Sequence, residues 1–187
     1  MIEIYLVRHA HSEFVPGQEV ERGLSVRGFA DAERVTAALA KEDIEAVAAS
    51  HYKRAIQTVQ GVADALETEV VIVEEFRERE LGEVEVASAE EHQLAVKRLF
   101  DEPTLAYPEG ESNAETLARG LEGLRNLLTA YAGKKVAVGT HGNTMVVLMQ
   151  HFDPQFDFAF WQELGMPDVY KLRFEGESYL DATRVLL

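Results

Sequence analysis

Residues 4–12 read Ile4-Tyr5-Leu6-Val7-Arg8-His9-Ala10-His11-Ser12. An apolar run without polar alternation marks a strand buried on both faces, as in a parallel sheet covered by helices. The run stops at a guanidinium, two imidazoles and a hydroxyl. In open α/β sheets, groups just past the carboxyl ends of parallel strands converge on one crevice. This stretch therefore sets the fold class and says where to look for chemistry.

Working outward, residues 46–49, 70–73 and 136–139 are further short runs rich in Val, Ile and Ala. Between them lie segments of helical period: Phe29, Ala32, Val35 and Leu39, then Ala55, Ile56, Val59, Val62, Ala63 and Leu66. Ser112 and Glu115 form a capping-box pattern ahead of Leu117, Leu121, Leu124 and Leu128, and Gly133 closes that helix. Met145, Val146, Leu148, Met149 and Phe152 give another helix, ended by Asp153-Pro154. Tyr170, Leu172 and Phe174 alternate with polar residues, and a second alternating run follows the turn at Glu175-Gly176-Glu177. The order predicts a three-layer α/β/α sandwich whose mostly parallel sheet carries an antiparallel edge. With 187 residues and no linker or repeat, one domain over 1–187 is expected.

Composition narrows the partners. There are 18 Lys and Arg against 33 Asp and Glu, a net charge of −15. Such a surface repels nucleic-acid backbone and anionic membrane, so neither is an expected partner. With no cysteine, disulfides, thiolate metal sites and thiol nucleophiles are excluded. No apolar run approaches a membrane span, and the first residues lack the basic region of a signal peptide. A cytoplasmic protein is the expectation.

The histidines are distributed unevenly. His9 and His11 follow the first strand, His51 the second and His141 the fourth, whereas His92 and His151 lie elsewhere. Arg8 and Ser12 flank the first pair; Ser50 and Arg54 bracket His51; Gly142-Asn143-Thr144 follows His141 at a helix start. Arginines, hydroxyls and helix N-terminal amides meeting in one crevice of an acidic chain describe a local anion site. Phosphate suits it, since guanidinium forks match its oxygens and helix N-termini supply donors. Arg8, Arg54, Ser12, Asn143 and His141 are the candidate phosphate-binding residues. Singly, each is also readable as a loop residue or a surface ion pair.

These residues carry a resemblance to the histidine phosphatase superfamily, the phosphoglycerate mutase-like proteins. Residues 6–13 resemble its Arg-His-Gly signature, and residues 50–58 its Ser-x-x-x-Arg-Ala-x-Gln-Thr block. Residues 76–83 are similar to its Leu-Arg-Glu…Gly-Glu segment, and residues 140–143 to its second-histidine motif. The four blocks occur in the family's order. The resemblance implies a phosphatase with His9 as nucleophile, Arg8, Arg54 and His141 on the phosphate oxygens, and Glu78 as the acid. It implies no cofactor and no metal, and a small phosphorylated substrate. Phosphoryl transfer has a loose transition state with charge on equatorial oxygens, a need that arginines and imidazoles meet. As acid, Glu78 requires a pKa raised by burial or by the incoming phosphate charge.

Two departures stand out. Ala10 replaces the usual Gly, which matters only if that backbone needs positive φ or a close approach. His51 replaces the usual Pro, and neither it nor His11 receives a role. Glu80 and Glu83 are fallbacks for Glu78. Residues 86–111 read as a long insertion of the kind that covers a site, with His92, Lys97, Arg98 and Tyr107 as candidate substrate contacts or solvated side chains. Phe156, Phe158, Phe160 and Trp161 suit core packing, a pocket wall or a homodimer contact. Three rival functions stay open. One is mutase-type transfer, although Glu13-Phe14 stands where those proteins have Trp-Asn. Another is a metal hydrolase using His9-x-His11, and the third is a non-catalytic phospho-ligand module.

Overall fold

The computed structural model describes residues 1–85 and 87–187. Its strands are β1 (Ile2–Arg8), β2 (Ala46–Ala49), β3 (Val71–Ile72), β4 (Lys135–Thr140), β5 (Asp168–Glu175) and β6 (Ser178–Val185). Its helices are α1 (Val26–Leu39), α2 (Lys53–Ala65), α3 (Ala89–Asp101), α4 (Asn113–Ala130), α5 (Gly142–Phe152) and α6 (Phe158–Glu163). The sheet order is β3-β2-β4-β1-β5-β6, with β3, β2, β4 and β1 parallel and β5 and β6 antiparallel to their neighbours.

Strand alternation divides the core into two layers. Ile2, Ile4 and Leu6 of β1 pack with Val136 and Val138 of β4 against Leu124, Leu127, Met145 and Met149 of α4 and α5. Tyr5 and Val7 face the other way with Ala137, against Val35 and Leu39 of α1 and Val59 and Val62 of α2. Helices therefore cover both faces, as the apolar runs demanded. At Gly139 a Cβ would stand 2.7 Å from the carbonyl oxygen of Ala55, so glycine lets α2 lie tightly on β4. The capping box forms as expected, with Ser112 accepting from the N–H of Glu115 and Glu115 accepting from that of Ser112.

Several expectations need correction. The stretch 86–111 is no plain insertion: α3 occupies half of it, capped by Ser88, with Ala95, Val96 and Leu99 buried. Residue 86 itself lies outside the described residues. The expected strand over 70–73 shrinks to two exposed residues at the sheet edge. Phe29 and Leu66 keep helical period with the core yet are 49% and 38% exposed, because each sits at the margin of the buried face. Among the described residues, no helix is long and apolar enough to cross a membrane.

Candidate active site

Three adjacent parallel strands end together, and the sheet order decides who meets whom. β4 lies between β2 and β1, so His141 at its end is flanked by Ser50 from one neighbour and His9 from the other. The His9 N–H donates to the Thr140 carbonyl at 3.0 Å, and that of Ser50 to Gly139 at 2.9 Å. These bonds carry the ladder past the strand ends and fix both side chains. Beside them opens a cavity of about 680 Å³.

His9 is buried on the cavity floor. Its Nδ1 lies 2.8 Å from its neighbour's carbonyl, that of Ala10, an acceptor that assigns the ring proton to Nδ1. Nε2 then carries a lone pair, toward which Arg54 Nε donates at 3.2 Å. Burial first, then the charges of His141 and Arg54, hold the His9 pKa well below the ordinary imidazole value. The ring is held neutral, its Nε2 lone pair meeting Arg54. Ala10 is buried outside the positive-φ region, with its N–H on Thr58 Oγ1 at 3.0 Å, so the missing glycine costs nothing there.

Arg54, 1% exposed, is fixed by α2. It stacks over Tyr52 at 4.9 Å and reaches the Glu19 carboxylate at 3.3 Å. Arg8 lines the cavity from β1, with Nη1 on the carbonyls of Leu164 and Gly165. His141 is fully buried and stands behind His9 rather than in the cavity wall. The two rings meet edge to face with centroids 5.2 Å apart. His141 Nε2 is 2.8 Å from Ser50 Oγ, and its Nδ1 is buried without a partner among the described residues.

Glu78 corrects the reading of the helix start. The amides of Asn143 and Thr144 do not wait for phosphate. They donate to Glu78 at 3.3 and 3.1 Å, because the nearest anion to the α5 N-terminus is this side chain. Burial pushes the Glu78 pKa up, but the N–H of Arg79, the Arg79 charge and the Thr144 N–H outweigh it, leaving the group below the ordinary carboxylate value. Of the two routes to a protonated acid, burial alone is thereby excluded. The segment is pinned in place: Thr140 Oγ1 donates to the Phe76 carbonyl at 2.9 Å and Thr144 Oγ1 to that of Arg77 at 2.7 Å.

The remaining candidates divide. Ser12 lines the cavity, with its hydroxyl proton given to the Gly23 carbonyl at 2.7 Å. Asn143 lines it too, its Oδ1 accepting from Arg79 at 3.3 Å. Glu80 lies on the wall while Glu83 does not. His11 turns away to Ser25 Oγ at 2.7 Å, at the cap of α1, and His51 packs on Tyr52. Neither lines the cavity. His92 and Trp161 do; Lys97 and Arg98 pair with Asp101 and Glu102 in solvent, and Tyr107 bonds the Ala95 carbonyl. Phe156 is core, Phe160 packs on it, and Phe158 stacks on Trp161. Among the described residues, no group of three or more His, Asp and Glu is placed to hold a metal.

Arg79 escaped the sequence. It is 3% exposed, lines the cavity and donates to Asn113 at 2.9 Å, and its Nε has no partner among the described residues. The Arg-Glu-Arg-Glu run around it reads as solvated, and only the buried Phe76 ahead of it hints that the run turns inward.

A sequence model described as the histidine phosphatase superfamily (branch 1) matches residues 4–180. A probable phosphoglycerate mutase GpmB of Serratia proteamaculans is 27% identical over 151 residues, 76% of this chain and 70% of that protein. An uncharacterized phosphatase PhoE of Bacillus subtilis is 28% identical over 153 residues, 80% of this chain and 76% of that protein. A crystal structure of a phosphoserine phosphatase mutant from Entamoeba histolytica, in complex with phosphoserine, superposes with a TM-score of 0.79. It covers 99% of this chain and 97% of that one at 18% identity, a likeness of fold.

Proposed function

The chain belongs to the histidine phosphatase superfamily, and we propose that it is a metal-independent phosphomonoester hydrolase working through a phosphohistidine on a small phosphorylated substrate. One observation carries this reading: on the floor of a cavity stands a neutral His9 whose Nδ1 is tied to a carbonyl and whose Nε2 lone pair faces a buried guanidinium. That is a nucleophile held beside the charge that would bind its target. Phosphate oxygens take the place of Nε2 on Arg54 and share Arg8, with the Nδ1 of His141 beneath. His9 Nε2 forms the bond to phosphorus as the ester oxygen leaves. Preorganised cations stabilise the equatorial oxygens.

Glu78 begins as a carboxylate. A phosphomonoester monoanion brings a proton into the site, and the added negative charge raises the Glu78 pKa enough to accept it. Glu78 then gives that proton to the departing alkoxide. Ionised again, it removes a proton from the water that attacks the phosphohistidine. Phosphate takes that proton back from Glu78 and leaves as the monoanion, so that Glu78 is again a carboxylate and His9 regains its lone pair.

Mutase-type transfer is the second reading, favoured by the name of the Serratia relative. One screen separates the two. Phosphate release is followed across phosphorylated sugars, sugar acids, amino acids and aryl alcohols, with and without chelator. Release from at least one ester, undiminished by chelator, is the expected result. Isomerised phosphoglycerate without free phosphate would establish the mutase instead. Activity lost to chelator and restored by one metal would defeat the metal-independent mechanism.

A further inference from the structure

Arg8 is held by a turn, not by a counter-ion of its own. Its Nη1 donates to the carbonyls of Leu164 and Gly165 at 2.6 and 3.1 Å, and no carboxylate lies within ion-pair distance among the described residues. The turn in its own right is held by Asp168, the residue opposite Arg8 in the β1–β5 ladder. Asp168 Oδ2 accepts the N–H of Gly165 at 3.0 Å, and Oδ1 accepts that of Val169 at 3.0 Å. From β6, Arg184 grips both oxygens through Nε and Nη2, each at 2.9 Å.

The arrangement has little slack. A Cβ at Gly165 would stand 3.0 Å from the Pro167 carbonyl and 3.2 Å from Asp168 Oδ2. Moving the carboxylate therefore moves the Gly165 peptide, and with it the carbonyls that aim Arg8. Asp168 is 2% exposed and does not line the catalytic cavity, so it touches no substrate. A buried ion pair is in general weak grounds for stability, since desolvation offsets the Coulomb gain. Here it stands two hydrogen bonds, through the Gly165 peptide, from a residue of the anion site.

We propose that Asp168, clamped by Arg184, is a positioning residue that sets the 164–168 turn so that Arg8 presents its free N–H groups to the phosphate. The proposal rests on the reading of this cavity as a phosphoryl site. It also assigns a function to the antiparallel hairpin: β6 supplies the clamp from outside the cavity, with the Arg184 side chain half exposed.

The test reads phosphate affinity and turnover in parallel. Calorimetry with inorganic phosphate gives Kd, and an aryl phosphate gives kcat/KM, for wild type, Asp168→Asn, Arg8→Ala and the double variant. Asp168→Asn keeps the shape and loses the charge and one acceptor. It should lower kcat/KM by up to about 100-fold, the scale of a displaced reacting geometry, and weaken phosphate in step. In the Arg8→Ala background the same change should have no further effect. Arg184→Gln should act in the same direction and more weakly, with Arg184→Lys between it and wild type. If Asp168→Asn fails to fold, the Arg184 pair in both backgrounds decides. Equal losses with and without Arg8 would overturn the proposal, as would a lowered Tm with unchanged phosphate affinity. A wild type that binds phosphate but hydrolyses no ester would defeat the hydrolase reading and leave this coupling measurable.

Discussion

His9 forms the cavity floor at the end of β1, with His141 behind it at the end of β4 and Ser50 beyond at the end of β2; backbone hydrogen bonds tie His9 and Ser50 into the ladder. At the rim, Phe14, Val20, Leu81 and Val84 come from connecting segments and Trp161 from the six-residue α6. The floor holds the neutral His9 beside the guanidinium groups of Arg8 and the buried Arg54, while the rim is largely apolar and acidic, with Phe14 71% exposed and Glu19, Glu80 and Glu109 along it. The contrast separates two tasks. Rigid strand ends can fix a reacting geometry within tenths of an ångström, and loops can vary around it. Floor substitutions should change the rate for every ester, and rim substitutions should change which ester is preferred.

The largest effect that would break this division is at Glu78. Glu78→Gln keeps the shape and removes the proton. It should slow alkyl phosphates by roughly 100- to 10,000-fold, the range for a lost general acid, and nitrophenyl phosphate far less. Rates across a leaving-group series check it, and equal losses would reject Glu78 and move the test to Glu80→Gln and Glu83→Gln. Next is Arg54→Ala, which should cost roughly 100- to 1,000-fold in kcat/KM for all esters, as for one lost oxyanion donor. A loss confined to some esters would place Arg54 with the rim. Trp161→Ala sharpens the contrast from the other side. Steady-state kinetics should show changes of up to about 10-fold whose sign depends on the leaving group, about the discrimination of a small apolar contact.

The smallest effect concerns stability. His9 and His141 are both held below their ordinary pKa by burial in the native state. Between that depressed value and about 6.5, the unfolded chain binds protons that the folded chain refuses. Their contribution is therefore whole above about pH 6.5 and is lost as pH falls below it, by at most ~1.4 kcal/mol per pH unit per histidine. Denaturant titrations at pH 7.5 and 5.5 should show the fall, and His9→Gln should make it shallower. An unchanged slope in His9→Gln would mean that the native ring takes up its proton as readily as the unfolded chain does.

The same contrast governs what the sequence reveals. His9, Arg54 and His141 were legible because each follows a short run of Val, Ile or Ala, and parallel strands bring their ends together. The hairpin and the capping box were legible from alternation and spacing. The rim was not. Ala95, Val96 and Leu99 keep helical period within 89–101, but the polar residues around them disguise α3 as an insertion. The burial of Arg79 is set by Asn113 and Asn143, both more than 30 positions away. The amides of Asn143 and Thr144 do meet an anion, but it is the side chain of Glu78 and not a phosphate, which spacing alone does not show.

The central claim is that His9 carries the phosphoryl group. Rapid quenching of wild type with a ³²P-labelled ester, followed by digestion, tests it most directly. The account predicts a phosphoenzyme labile to acid and stable to alkali, its label on the peptide containing His9 and missing in His9→Ala. An acid-stable ester on a serine or threonine, or label that persists in His9→Ala, would contradict it.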